Sequence, residues 1–242
     1  MVTIYPVTFV IIEGAYMPAY RTAVFDLDGT LLDTLEDLHL STNAALAAHD
    51  MPTHTIDDVR RFVGNGIKLL IHRAVPAGTS PAEEDSVYED FCAHYAVHCE
   101  DHTGPYQGIP ELLAHLRAAG VALAVVSNKG DFAVQELVAR QFPGVFDAVL
   151  GENEAVGIRK KPAPDMVSAA LERMDAAPEG MVYIGDSEVD VQTAANAGCP
   201  CVSCTWGFRS VDELLAAGAT TLVDTPAELE RVLLGTDAVT AR

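Results

Sequence analysis

The stretch Val24-Phe25-Asp26-Leu27-Asp28-Gly29-Thr30 decides how the rest of this 242-residue chain is interpreted. Residues 22–25 are β-branched or apolar and carry no charge, which predicts a short buried strand. Alternate residues of a strand face the same way, so Asp26 and Asp28 can share one site while Leu27 points into the core. An exposed acidic turn is the alternative for Asp-x-Asp alone. Two carboxylates this close repel each other, and a functional site would need a cation, a shared proton or both.

Composition and charge limit the classes of partner. The chain is 49% hydrophobic and 21% charged, which is typical of a globular protein. It holds 35 Asp and Glu against 15 Lys and Arg, a formal charge of -20. Such a surface repels nucleic acid and anionic membranes, so we expect neither as a partner. Salt screens this field beyond about 8 Å, so a local cation and one lysine can still dominate a cleft.

The order of the predicted elements indicates two structural units behind an N-terminal extension. Strands and helices alternate from residue 104 onward, which predicts an α/β fold with a doubly wound parallel sheet and helices on both faces. Four helices and no strand are predicted within 35–103. We therefore expect an extension at 1–18, an α/β core at 19–34 and 104–234, and an inserted all-α cap at 35–103. A hinge is expected at the two linkers, and Thr34 with Asp37 resembles a capping box.

Polar residues follow three of the predicted strands, at 22–25, 121–126 and 181–184. In an open parallel sheet, ligands bind beyond the carboxyl ends of the strands. A loop stiffened by Pro162 presents a lysine between the last two strands. The residues expected at this edge are, in chain order, Asp26, Asp28, Ser127, Asn128, Lys161, Asp186 and Asp190.

Together these motifs resemble the haloacid dehalogenase superfamily of aspartate-nucleophile phosphotransferases, over about residues 20–232. The helical insert resembles the cap of its phosphoglycolate phosphatase and β-phosphoglucomutase branch. The segments 62–66 and 205–209 look most like phosphoglycolate phosphatase. The core motifs that carry the resemblance are Asp26-Leu27-Asp28-Gly29-Thr30, Ser127-Asn128, Lys161-Pro162 and Gly185-Asp186-Ser187-Glu188-Val189-Asp190.

The resemblance implies a role for each of these residues. Asp26 would attack phosphorus and form an aspartyl-phosphate, and Asp28 would serve as general acid and base, which requires it to hold a proton. Lys161, which directly precedes the proline, would neutralise the phosphoryl charge. A Mg²⁺ cofactor would be bound through Asp26, the backbone carbonyl of Asp28, Asp186 and, as an orienting residue, Asp190. The implied donors to the phosphoryl oxygens are Thr30, Ser127 and Asn128.

The cap is expected to decide which ester binds. The loop Gly64-Asn65-Gly66 would contact the non-phosphate end of the substrate, with Arg61 or Lys68 supplying charge, although an ordinary glycine-rich turn is the alternative. Lys129 is interpreted as solvated, with a place in the cleft as the alternative.

Two clusters of potential metal ligands are interpreted as structural. His94, His98 and His102 recur every fourth residue, but a solvated cap face is favoured over a metal site. Cys199, Cys201 and Cys204 accompany a predicted buried strand. The odd count of five cysteines, without a signal sequence, predicts reduced thiols and a cytoplasmic protein.

We therefore predict a Mg²⁺-dependent phosphatase for a small phosphorylated metabolite, with 2-phosphoglycolate as the favoured substrate. The alternatives within the same core are a β-phosphoglucomutase-like enzyme and another sugar-phosphate phosphatase. A signalling receiver domain also uses clustered carboxylates, but it would lack both the first motif and a helical cap. A catalytically silent binding protein is disfavoured because Asp28 and the other motifs are intact. The sequence predicts no oligomeric state.

Overall fold

The computed structural model describes residues 18–153, 155 and 157–235. Apart from Pro18, the predicted extension lies outside the described residues. The described helices and strands are, in chain order, β1 Thr22–Phe25, β2 Leu32–Asp33, α1 Leu35–Ala48, α2 Ile56–Phe62, α3 Ile67–Ala74, α4 Pro81–His98, β3 Gly104–Pro105, α5 Ile109–Ala118, β4 Ala122–Gly130, α6 Asp131–Gln141, β5 Ala148–Glu152, α7 Asp165–Met174, β6 Met181–Gly185, α8 Glu188–Ala197, β7 Cys201–Cys204, α9 Val211–Ala216, β8 Leu222–Val223 and α10 Pro226–Leu234.

A six-stranded parallel sheet forms the core, in the order β5-β4-β1-β6-β7-β8. β1 pairs with β4 on one side and with β6 on the other, and all four of its residues are buried. Because strand side chains alternate, Ala23 and Phe25 pack in one apolar layer and Val24 packs in the opposite layer. The predicted doubly wound α/β fold is confirmed. β1 lies in the middle of the sheet, and the first motif follows at its carboxyl end.

The helices α1–α4, here called the cap, enclose an apolar cluster of their own. Leu46, Val59 and Phe91 are each fully buried in it. The sequence pattern predicts these helices at 34–48, 56–62, 67–74 and 82–99, which agrees with the observed ends to within one residue. The domain boundaries at residues 35 and 103 stay a prediction. Within the described part of the chain, no helix has both the length and the hydropathy that a membrane crossing requires.

The two linkers between core and cap form a structure that the sequence did not predict. β2 and β3 pair with each other as a two-stranded antiparallel sheet, too short to show a periodic pattern. Asp37 accepts backbone hydrogen bonds from His102 at 3.0 Å and Thr103 at 2.9 Å. The predicted capping box at Thr34 is therefore wrong, because the Asp37 carboxylate bonds to the second linker, and Thr34 makes no capping bond.

β4 is longer than predicted. It continues past Val126 to Gly130, with an irregular register, and Gly130 pairs with Glu152 of β5. Ser127, Asn128 and Lys129 therefore lie on a strand extension rather than on the loop after it. This extension brings them beside the end of β1.

Candidate active site

The first motif forms a tight turn at the carboxyl end of β1. The Asp26 backbone N–H donates to Ile184 O at 2.9 Å, which continues the pairing with β6. The Leu27 N–H donates to the Asp26 carboxylate at 2.7 Å, and the Leu27 side chain is fully buried. Gly29 has φ of 83°, a left-handed conformation that favours glycine. The turn therefore directs the Asp26 carboxylate away from the core and into a cleft.

Three carboxylates converge beside this turn. Asp26, Asp186 and Asp190 each offer an oxygen within 4.8 Å of the others. Burial and the charge of Asp190 raise the pKa of Asp186 to about 7. Burial, with the neighbouring carboxylates, also raises the pKa of Asp26 well above its usual value, and Lys161 only partly opposes this shift. Such a set of hard oxygen donors in mutual repulsion suits a divalent cation such as Mg²⁺.

Asp190 is the most constrained of the three carboxylates. Its Oδ1 accepts from Lys161 Nζ at 2.8 Å and from the Tyr183 hydroxyl at 3.1 Å. Its Oδ2 accepts from the backbone N–H of Asp186 at 3.2 Å and from the Ser187 hydroxyl at 2.6 Å. Five protein donors, including the Ser187 N–H, bond to its two oxygens, whereas each Asp186 oxygen accepts one such bond. Asp190 therefore acts on the site by orienting Lys161 and Asp186. Asp26 and Asp186 are better placed as metal ligands.

Lys161 supplies positive charge to the bottom of the cleft. Its Nζ lies 2.8 Å from both Asp26 and Asp190, and the residue is only 3% exposed. Burial alone would lower the pKa of Lys161, but the two carboxylates outweigh it and raise the pKa above its usual value. Lys161 is therefore held as a cation beside Asp26, as expected for a residue that neutralises phosphoryl charge.

Two of the predicted phosphate donors have other partners. Thr30 is fully buried and its hydroxyl donates to Asp186 Oδ1 at 3.0 Å, so it faces the carboxylate rather than the cleft. The Asn128 side chain accepts from the Lys161 N–H at 2.7 Å and donates to Lys161 O at 3.1 Å. Thr30 orients Asp186, and Asn128 orients the loop of Lys161. Ser127 and Asn128 both line the cleft, and within the described part of the chain the Ser127 hydroxyl donates no hydrogen bond.

Lys129 corrects the sequence interpretation, which favoured a solvated role. It is 6% exposed, and its Nζ contacts Asp28 Oδ1 at 2.9 Å and the Tyr95 hydroxyl at 2.8 Å. The Asp28 carboxyl group thus faces the Lys129 side chain, and it stands apart from the group of three carboxylates. The expected proton on Asp28 stays a prediction. Lys129 directly follows Ser127-Asn128 in the sequence, and this position was the signal that it could lie in the cleft. Tyr95 lies on the distant α4, and no sequence pattern indicated its contact with Lys129.

The cleft lies between the core motifs and the cap loop. Its cavity has a volume of about 90 Å³, and Gly64, Asn65 and Gly66 line one side of it. All three residues have positive φ, at 121°, 65° and 92°. The glycines here permit backbone conformations that bulkier residues resist. The loop therefore lines the same cleft as Asp26 and Asp186, and its contact with a substrate stays a prediction.

Arg209 connects the core to the cap beside this loop. Its guanidinium donates to Arg60 O at 3.1 Å and Val63 O at 2.5 Å, where α2 ends, and to Glu188 at 2.8 Å. It is 7% exposed and lines the cleft. Helix ends leave carbonyl groups without intrahelical partners, and a cation there is stabilising. Sequence reasoning used Arg209 only as part of a family motif and missed this contact.

The other predicted cations and clusters lie away from the cleft. Arg61 pairs with Asp58 at 2.5 Å, and Lys68 lies over the Tyr88 ring at 5.3 Å. His94 contacts Ser41, and His98 contacts Asp101. His102 contacts Asp37 and Glu36, acidic partners that the sequence did not reveal. Among the described residues these histidines form no metal-ligand group, and Cys199, Cys201 and Cys204 are free thiols.

The sequence of this chain is similar to a known enzyme family and to phosphatases of known name. Residues 23–204 match the haloacid dehalogenase-like hydrolase family. A phosphoglycolate phosphatase from Agrobacterium fabrum is 32% identical, covering 80% of this chain and 84% of its own. An N-acetylmuramic acid 6-phosphate phosphatase from Pseudomonas aeruginosa is also 32% identical, covering 88% and 94%.

Solved structures agree with these relatives. A structure from Lactobacillus delbrueckii subsp. bulgaricus, provisionally named a phosphoglycolate phosphatase, is 41% identical with a TM-score of 0.85, covering 89% of this chain and 99% of that one. CbbY from Rhodobacter sphaeroides, in complex with phosphate, is 28% identical with a TM-score of 0.67, covering 87% and 96%. The chain belongs to the haloacid dehalogenase-like hydrolase family. Within that family it is a phosphoric monoester hydrolase of the phosphoglycolate phosphatase-like group.

Proposed function

We propose that this enzyme hydrolyses a small phosphate monoester, with 2-phosphoglycolate as the favoured substrate, in a Mg²⁺-dependent reaction that passes through a phosphorylated Asp26. The observation that carries the proposal is the Asp26 carboxylate at the cleft floor, 2.8 Å from the Lys161 ammonium and beside Asp186 and Asp190. Asp26 and Asp186 would hold the ion, with the Asp28 carbonyl. When bound, the ion supplies charge neutralisation to the phosphoryl group and to the carboxylates.

The first step transfers the phosphoryl group to the protein. An oxygen of Asp26 attacks phosphorus, and the bond between phosphorus and the ester oxygen breaks with its electron pair left on that oxygen. Asp28 gives its proton to this oxygen, and the alcohol leaves. Lys161 and the Ser127 hydroxyl contact the phosphoryl oxygens, while Thr30 and Asn128 hold Asp186 and the Lys161 loop in position.

The second step restores Asp26. A water oxygen attacks phosphorus, Asp28 takes one proton from that water, and the bond between phosphorus and Asp26 breaks to release phosphate. The sum of both steps is ester plus water giving alcohol plus phosphate, so both Asp26 and Asp28 return to their starting forms. Hydrolysis of phosphate monoesters in water is among the slowest of biological reactions, and the site must lower its barrier by about 20 kcal/mol.

The substrate is proposed from the compounds that the relatives act on by name. Relatives of equal identity act, by name, on phosphoglycolate and on N-acetylmuramic acid 6-phosphate, so a sugar phosphate is the second candidate. A phosphomutase with the same core is the third. The cap loop 64–66 is the element proposed to distinguish these esters. A cytoplasmic location is also proposed, supported by the free thiols of all five cysteines.

A substrate panel with and without Mg²⁺ tests the proposal. Phosphate release is expected from 2-phosphoglycolate, above that from sugar 6-phosphates, and is expected to stop when a chelator removes the ion. Asp26→Asn removes the nucleophile and should lower turnover by at least about 10⁴-fold. Asp33→Asn, which changes an exposed carboxylate near the first linker, is the control and should retain full turnover. Appreciable turnover by Asp26→Asn would contradict the assignment of the nucleophile.

A further inference from the structure

Asp28 has one side-chain partner within the described residues, and that partner is tied to the cap. The Asp28 carboxylate accepts a hydrogen bond from Lys129 Nζ at 2.9 Å, and its side chain is 19% exposed. Without Lys129, the carboxylate at the end of β1 would be free to rotate between the cleft and solvent. Its position is therefore set by a residue of β4.

Lys129 is in turn held by a cap residue. Its Nζ donates to the Tyr95 hydroxyl at 2.8 Å and lies 4.9 Å from the centre of the Tyr95 ring. Tyr95 is 5% exposed and stacks on Phe91, with ring centroids 5.3 Å apart. The ring belongs to the apolar cluster of the cap, so its hydroxyl cannot shift without a shift of α4. The chain of contacts runs from the cap through one ammonium to Asp28.

We propose that Lys129 and Tyr95 are positioning residues for the reaction, which hold the Asp28 carboxylate where it can exchange protons with the leaving alcohol and the attacking water when the cap is seated. This inference rests on the proposed function, because it assigns Asp28 to acid and base chemistry. Neither residue touches the reacting atoms. A displacement of about 1 Å in a catalytic group can cost about 100-fold in rate, and the loss of general acid–base catalysis costs about 10²- to 10⁴-fold.

An ester with a good leaving group separates this role from a general role in folding or substrate binding. The 4-nitrophenolate of 4-nitrophenyl phosphate departs without a proton, so the first transfer of a phosphoryl group to Asp26 does not need Asp28. Every later turnover needs Asp28 to take a proton from water. A variant with a misplaced Asp28 should therefore release the first equivalent of nitrophenolate normally and then turn over slowly, with phosphorylated protein accumulating.

Two variants test the chain of contacts by rapid-mixing kinetics on the whole protein with Mg²⁺. Tyr95→Phe keeps the stacked ring and removes the hydroxyl, and we expect its later turnovers to be about tenfold slower. Lys129→Met keeps the apolar stem and removes the charge, and we expect a loss of about 100-fold. In both variants the rate of the first turnover should stay within about threefold of the unmodified protein. Intact-protein mass spectrometry of the acid-quenched reaction should show an increased phosphorylated fraction.

Tyr88→Phe is the matched control, since Tyr88 also lies on α4 and contacts a lysine, Lys68, but does not line the cleft. It should retain both rates. Equal losses of the first and later turnovers in Tyr95→Phe would overturn the proposal, because they would indicate a cap that no longer seats the substrate. Unchanged rates in both variants would also overturn it. Failure of the unmodified protein to release phosphate from any ester would instead overturn the proposed function itself.

Discussion

At the scale of single residues, Asp186 combines deep burial with close approach of the backbone. It is 1% exposed, and its Oδ2 accepts from the Phe208 N–H at 2.7 Å. A Cβ at Gly29 or at Gly207 would overlap its carboxylate, so two glycines are needed for the carboxylate to fit. A carboxylate enclosed in this way is costly to ionise unless a cation lies beside it.

The free energy of unfolding of the metal-free protein should therefore fall as the pH rises. Burial and the charge of Asp190 raise the folded pKa of Asp186 to about 7, above its ordinary unfolded value of about 3.8. The contribution of this group is fully present below about pH 4 and is lost as the pH rises to about 7. We expect a loss of the order of 4 kcal/mol across this window, measured by denaturant unfolding in the presence of a chelator.

Asp186→Asn isolates this effect from the general repulsion of an acidic protein. The metal-free variant should show a smaller loss between pH 4 and 7 than the metal-free parent. Added Mg²⁺ should raise the stability of the parent near neutral pH and should have little effect on the variant. Identical pH profiles for the two metal-free proteins would contradict the repulsion argument.

At the scale of elements, two contacts determine how the cap sits on the core. Asp37 at the start of α1 holds the second linker, which places β2 and β3 side by side. Arg209, which follows β7, holds the end of α2 beside the cap loop. The first contact lies at the two linkers, and the second lies beside the loop 64–66 that lines the cleft. They should therefore affect stability and substrate binding differently.

Asp37→Ala should destabilise the fold. The Asp37 side chain is 1% exposed and accepts from two backbone N–H groups and from the Thr103 hydroxyl at 2.7 Å. Loss of such bonds to a charged group should lower the free energy of unfolding by about 3 kcal/mol. Glu36→Ala changes the exposed neighbour and should cost less than about 0.5 kcal/mol. Denaturant unfolding of the pair measures the difference, and equal costs would refute the linker role of Asp37.

Arg209→Met should weaken substrate binding. The variant keeps the side-chain volume but leaves Arg60 O, Val63 O and Glu188 without their donor, so the loop 64–66 should open more often. We expect KM to rise about tenfold, with faster amide hydrogen exchange in that loop. Arg61→Met is the control, because Arg61 pairs with Asp58 outside the cleft. If KM and amide hydrogen exchange of Arg209→Met matched those of Arg61→Met, Arg209 would have no part in holding the loop 64–66 against the cleft.

At the scale of the whole molecule, the formal charge of -20 opposes the anionic substrate that the site is built to hold. The attraction is local: Lys161 is buried at the bottom of the cleft, and the two carboxylates beside it raise its pKa. Long-range repulsion therefore acts on the approach of the substrate, while the local cation acts on the bound state.

Added salt should consequently raise the apparent affinity for anionic ligands. At constant free Mg²⁺, an increase from about 10 mM to about 150 mM NaCl should improve kcat/KM for 2-phosphoglycolate about two- to fivefold. Inhibition by the two products provides the internal control, because phosphate carries more charge than glycolate and its inhibition constant should depend more on salt. A fall in kcat/KM over this range would show that local attraction dominates the approach as well.

The sequence by itself determined the order of the helices and of the strands of the main sheet, and the carboxylates of the core, because periodicity and turn residues are local properties of the chain. It did not reveal β2 and β3, which are too short to show a pattern. Asp26 and Asp186 were predictable because parallel strands end at one edge of the sheet, and Lys161 and Asp190 were predictable from the family motifs that they belong to. Only the tertiary structure decided the partners of Thr30, Asn128, Lys129 and Arg209. Those partners lie up to 176 residues away along the chain, as for the Trp206 ring N–H that donates to Thr30 O. Such pairings depend on the packing of distant elements, and no local pattern encodes them.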